Sequence, residues 1–100
     1  MTTATDETYR PCNPRILLAQ IGIGNILAIS GGRTNARATG VSLPVAHGYS
    51  VEIDLQWHDV YLVRRVFTRG GKQFVKGERE AYADEVGEVA YRASCYHHEF

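Results

Sequence analysis

The sequence predicts an α+β domain: an antiparallel sheet of about four to five strands, with an N-terminal and a C-terminal helix packed on one face. Three observations predict it. Tyr49, Val51, Ile53 and Leu55 alternate with Ser50, Glu52, Asp54 and Gln56, the period of two that a half-buried strand requires. Two more extended runs, 60–67 and 73–75, follow across turn-forming sequences, which makes a meander. Tyr82, Val86, Val89, Ala90 and Ala93 recur at i, i+4, i+7, i+8 and i+11, one face of a helix. The 100 residues are the length of one domain, 1–100, with 1–12 and 96–100 expected to be flexible.

Taken in order, 1–8 is polar, with no basic residue and no apolar run, so it is not read as a signal peptide. Asn13 is placed to cap a helix, and Pro14 suits its first position, where a missing N–H costs nothing. Ile16, Leu17, Leu18 and Ile21 make about two turns, and Gly22 stops them. Ile26, Leu27, Ala28 and Ile29 are consecutive apolar residues, so 26–30 reads as a buried strand. The polar stretch 31–40, with Arg33 and Arg37, has no period and reads as a mobile or binding loop. Val41 to Leu43 is a short edge strand ended by Pro44.

Gln56 to Asp59 and Arg69-Gly70-Gly71-Lys72 read as turns, and 77–81 as a transition into the last helix. In that helix Asp84, Glu85 and Glu88 come early and Arg92 late, as the macrodipole favours. Gly87 costs it about 1 kcal/mol relative to Ala unless close packing requires it. The run 60–67 has two mostly apolar faces. Tyr61, Val63 and Phe67 bury more area and are assigned to the helices. Val60, Leu62 and Val66 then form an exposed stripe beside Arg64, a surface of the kind that joins copies or partners.

Net charge is zero, 11 basic against 11 acidic residues, which argues against a dedicated polyanion binder. The distribution is nonetheless uneven. Arg64, Arg65, Arg69, Lys72, Lys76 and Arg79 have only Glu78 among them, while the last helix is acidic. Either the basic hairpin contacts phosphates, with Trp57, Tyr61 or Phe74 stacking on bases, or its arginines pair with the acidic helix. Cys12 and Cys95 are too sparse for a disulfide scaffold and are read as reduced thiols. Cys95, His97 and His98 lack the paired spacing of zinc modules, so no metal and no cofactor is expected. No nucleophile–base–orienter set is visible; Asp54 and Asp59 are read as solvated, and no catalytic residue is assigned. The glycines at 22 and 24 and at 31 and 32 lack the strand–loop–helix context of a phosphate loop. The stretch 16–29 is too interrupted to span a bilayer.

With the elements placed, the chain resembles a group of small uncharacterised proteins encoded by bacteriophages and related mobile elements. The resemblance rests on Leu18-Ala19-Gln20-Ile21-Gly22 with Asn25-Ile26-Leu27-Ala28-Ile29-Ser30-Gly31, on Val51–Leu55 followed by Asp59-Val60-Tyr61, and on Tyr82-Ala83-Asp84. These are packing and turn motifs, and they imply an origin rather than an activity. The leading expectation for function is a small non-enzymatic binding protein of phage or mobile-element origin, in the host cytoplasm, that contacts a host or phage macromolecule. A protein is the first partner class, DNA or RNA the alternative, and a homodimeric interaction module a further one; no membrane is involved. The contact residues expected are Arg33 and Arg37 in the loop, Trp57 as an aromatic anchor, and Arg64, Arg65, Arg69 and Lys72 on the meander.

Overall fold

A computed structural model describes residues 9–95; the expectations for 1–8 and 96–100, including His97 and His98, fall outside that range. The first helix, α1 (Pro14–Ile21), starts where the caps place it. Asn13 Oδ1 accepts the Arg15 N–H at 2.9 Å, and Pro14 occupies the first turn. Gly22, at φ 93°, donates its N–H to the Leu18 carbonyl and turns the chain directly into a second helix, α2 (Ile23–Ser30). A glycine is suited to that reversal because positive φ carries no Cβ penalty. The expected strand over 26–30 is therefore corrected to a helix. Ile26 and Ile29 point inward while Leu27 and Ala28 face out, a helical rather than a continuous burial pattern. Gly31, in the left-handed region, closes α2.

The sheet runs in simple order, β1 (Asn35–Ala36), β2 (Gly40–Pro44), β3 (Tyr49–Leu55), β4 (Tyr61–Arg69) and β5 (Lys72–Ala81), every neighbour antiparallel. Two expectations change here. The stretch 31–40 is no open loop, since it contains β1 and the tight turn from Arg37 to Gly40, which places β2 inside the sheet. The third strand of the meander runs ten residues and absorbs the supposed transition at 77–81. The closing helix, α3 (Val86–Ser94), begins a turn later than the spacing suggests: Tyr82 is exposed, and its N–H donates to the Glu85 carboxylate at 3.0 Å.

All three helices lie on one face of the sheet. Leu17 and Ile21 of α1, Ile26 and Ile29 of α2, and Val86, Val89, Ala90 and Ala93 of α3 meet Val41, Leu43, Val51, Ile53 and Val63 in a single core. Gly87 is required by this packing. A Cβ there would stand 2.3 Å from the Ile21 carbonyl oxygen, so its propensity cost is offset by a close crossing of α1 and α3.

Two details of the β4–β5 ribbon decide which way its side chains point. Gly70 and Gly71, at φ 61° and 79°, form the two-residue turn that left-handed geometry allows. Lower down, the register steps from Arg65↔Gly77 to Val66↔Val75, so Lys76 is an extra residue, a β-bulge. The exposed stripe expected from Val60, Leu62 and Val66 is not there. Val60 and Val66 are buried and Leu62 is half-buried, because β4 is central and Val66 is flanked by Ser50 and Val75. The core assignment of Tyr61 and Val63 holds, but Phe67 lies outside the core and buried Arg65 shares their face. Among the described residues, no helix is long and apolar enough to cross a membrane.

Candidate functional site

Arg64 and Arg65 are adjacent in sequence and point to opposite faces, so they enter different chemistry. Arg65 sits between Val51 and Gly77 in the ladder, under the helices, with 8% of its surface exposed. Its Nε donates to the Ala93 carbonyl at 2.7 Å, and its Nη2 reaches the carbonyls of Cys95 at 3.1 Å and Arg92 at 3.3 Å. The last carbonyls of a helix lack partners within it, and the macrodipole there favours a cation; of these three, the Arg92 carbonyl also accepts the Cys95 N–H. Arg65 is thus a cap for α3 supplied by the sheet. It is removed from the expected contact surface.

Arg64 lies on the helix-free face, directly opposite Glu52 and diagonal to Asp54. Its Nη2 donates to Asp54 Oδ2 at 2.7 Å and stands 3.6 Å from Glu52 Oε1. Arg37, carried in by the β1–β2 turn, donates to Glu52 Oε1 at 3.0 Å and to Asp54 Oδ1. Thr39 Oγ1 donates to the same Asp54 oxygen at 2.7 Å. Asp54 is only 2% exposed, so the solvated role expected for it is corrected: it is the centre of a four-member ion network. Two cations and two anions cancel, which leaves no net charge to draw an anionic ligand. The Nε atoms of both arginines are buried without a partner, and the Tyr9 ring lies 5.9 Å from the Arg64 guanidinium. The basic residues are therefore partly neutralised from within, by β3. The last helix does not do it, since its Glu88 pairs with Arg92 one turn on at 2.9 Å.

The remaining cations of the ribbon behave otherwise. Arg69, Lys72, Lys76 and Arg79 form no ion pair with any described residue. Arg69 and Lys72 face one another at the turn. One rung in from Thr68 and Gln73, Phe67 stands between Tyr49 and Phe74 as cross-strand partner of both, so three aromatic residues share one row on three adjacent strands. The Tyr49 and Phe67 centroids are 5.0 Å apart at an interplanar angle of 47°. The Lys76 ammonium lies 6.0 Å from the Phe67 centroid and 5.7 Å from that of Phe74, contacts worth about 0.5–1 kcal/mol each at exposed sites. Lys76 reaches these rings because the bulge takes it out of strict alternation. By the same pleat, Arg69, Lys72 and Arg79 fall on the helix-bearing side, whereas Glu52, Asp54, Glu78 and Glu80 fall on the other. Charge is thereby sorted across the sheet.

The other expected contact residues do not join this group. Arg33 is exposed beside the end of α2, its Nε 3.4 Å from the Ser30 carbonyl. Trp57 occupies the β3–β4 turn, where the Arg10 guanidinium lies 5.8 Å from its ring and pairs with Asp59. The nine residues of β4 run from that turn to Arg69, so Trp57 and the hairpin tip lie at opposite ends of the strand. Tyr61 is not available for stacking: it is buried, and its hydroxyl donates to Gln20 Oε1 at 2.6 Å. Burial pushes the Cys12 thiol above its ordinary pKa, and burial likewise raises the Tyr61 hydroxyl. Among the described residues, no His, Cys, Asp and Glu side chains group as a metal site would need. Sequence reasoning grouped Lys76 only with the basic run and passed over Tyr49 and the full aromatic row, because the row depends on strand register. No family model, curated protein or solved structure matches the chain.

Proposed function

We propose that the protein is a non-enzymatic binding protein that engages a macromolecule through the tip of the β4–β5 hairpin. The sorting of charge carries this reading. On β3, β4 and β5 the helix-bearing side holds Arg69, Lys72 and Arg79 and no carboxylate, and Lys76 leans over the rings on that side. A cationic surface without a local counter-charge attracts an anionic partner even when net charge is zero. Of the residues expected at the contact, Arg69 and Lys72 remain, Phe74 and Lys76 join them, and Arg37, Arg64 and Arg65 serve the fold. The resemblance to phage and mobile-element proteins makes a host or phage macromolecule the expected partner.

The test is affinity capture from host lysate, with and without nuclease, comparing the native chain with the double variant Arg69→Glu, Lys72→Glu. The native chain retains a partner that the variant loses. Equal retention by both would place the contact elsewhere.

A further inference from the structure

We infer that the partner of this tip is single-stranded nucleic acid, its bases stacked on the Tyr49–Phe67–Phe74 row and its phosphates held by Arg69, Lys72 and Lys76. This deepens the proposed hairpin contact and rests on it.

The row is a stacking platform by construction. Its three residues are direct cross-strand partners, so the pleat sends them to one side of the sheet. Adjacent strands lie ~4.8 Å apart, and the 5.0 Å between the Tyr49 and Phe67 centroids follows that spacing. The row is therefore about 10 Å long, enough for two or three bases in succession. It lies just past the helices: Val51, two residues beyond Tyr49, is fully buried, whereas Phe74 is 45% exposed. Phe74 is not a scattered exposed ring, since it is continuous with the half-buried Phe67 and Tyr49, and contiguous apolar surface marks a binding site.

The cations stand where a backbone would run. Arg69 and Lys72 lie two rungs from the rings on the same face, and Lys76 rises between Phe67 and Phe74. The Lys76 ammonium now occupies the ring faces that a base would take. An arriving nucleotide replaces it there and offers it a phosphate in exchange. Unpaired strands suit this surface, because a duplex hides its base faces and would meet only the cations. An acidic peptide would likewise use the cations and leave the rings idle, so the rings decide between the two.

Fluorescence anisotropy with short labelled oligo-dT and oligo-U tests this, with a duplex of equal length and poly-glutamate as competitors. At least one oligonucleotide binds, the better one identifying the sugar, and neither competitor displaces it at equal charge. Phe74→Ala weakens binding by roughly 5- to 150-fold, the loss of one stacked base, while Phe74→Trp keeps it. Lys72→Glu lowers the affinity and flattens its dependence on log salt by about 0.7, one phosphate contact. Circular dichroism confirms that the variants are folded; if Phe74→Ala is not, retention by Phe74→Trp against loss by Phe74→Glu decides. Failure of both oligonucleotides to bind overturns the inference, as does unchanged affinity in Phe74→Ala with full displacement by poly-glutamate. If the charge-reversed Arg69→Glu, Lys72→Glu variant still loses its lysate partner in those cases, the tip stands as the contact surface and only the nucleic acid is removed. If that variant loses nothing, both readings fall.

Discussion

The two halves of the β4–β5 ribbon carry similar residues to opposite ends. In the half nearer the β3–β4 turn, Arg64 and Arg65 are consumed by the fold, one by Asp54 and Glu52 and the other by the carbonyls that end α3. In the half nearer Gly70 and Gly71, Arg69, Lys72 and Lys76 meet no carboxylate among the described residues. A basic run in a sequence is thus not a basic surface. Strand face and what lies opposite decide whether each guanidinium or ammonium is structural or available, and a charge count registers neither.

This contrast is open to breaking by mutation, and the largest effect belongs to the buried side. Arg65→Ala strips its donors from the Ala93 and Cys95 carbonyls, while the Arg92 carbonyl keeps the Cys95 N–H, and at 1–3 kcal/mol for each buried group left unsatisfied the loss in urea unfolding is about 3 kcal/mol. A loss under about 0.5 kcal/mol, the ordinary scatter of surface changes, would make Arg65 a bystander. Asp54→Asn comes next. It leaves Arg37 and Arg64 facing one fewer anion on a half-buried surface, and a cost of about 2 kcal/mol is expected where an exposed pair would give 0–1. Arg69→Glu with Lys72→Glu sits at the other pole: stability stays within about 0.5 kcal/mol while partner capture is lost. If the tip variant destabilised as much as Arg65→Ala, the division between the halves would fail.

The smallest effect is with pH. Cys12 and Tyr61 are neutral when protonated, and burial disfavours their anions, so the folded chain holds both protons more tightly than the unfolded one. Their contribution is complete below the ordinary thiol value of 9.0 and fades as pH climbs past it. Urea midpoints measured from neutral to strongly alkaline pH should fall slightly, and less so in Cys12→Ala. A midpoint that rises over that range would mean that folding loosens these protons instead of holding them.

Much of this was legible in the residues. The alternation from Tyr49 to Leu55 is the β3 that forms, with Val51 and Ile53 inward. Asn13 and Pro14 cap α1, and Val86, Val89, Ala90 and Ala93 line the buried face of α3. Four consecutive apolar residues at 26–29 could not be told from a strand, because so short a run shows neither period; Gly22 and Gly31, on either side of eight residues, were the better clue to a two-turn helix. The site was less legible because it depends on pairing. Arg65 meets carbonyls 27 to 30 residues away, which no local pattern announces. The Arg64–Asp54 contact follows from the register across the β3–β4 turn, and one residue's slip would have exchanged Arg64 for Arg65.

The same sensitivity has a consequence at Lys76. Carried straight on from Arg65↔Gly77, an unbroken ladder would set Phe67 against Val75 and turn Phe74 to the side of Glu52 and Asp54. Folding one amino acid out of the ladder thus keeps the far end of β5 in step with β4, so that its ring and cation look to the same side as Phe67 and Arg69. Ironing the kink flat with Lys76 retained would turn Phe74 and Lys72 away from Phe67 and Arg69, whereas deleting Lys76 would leave those four residues on one side of the hand.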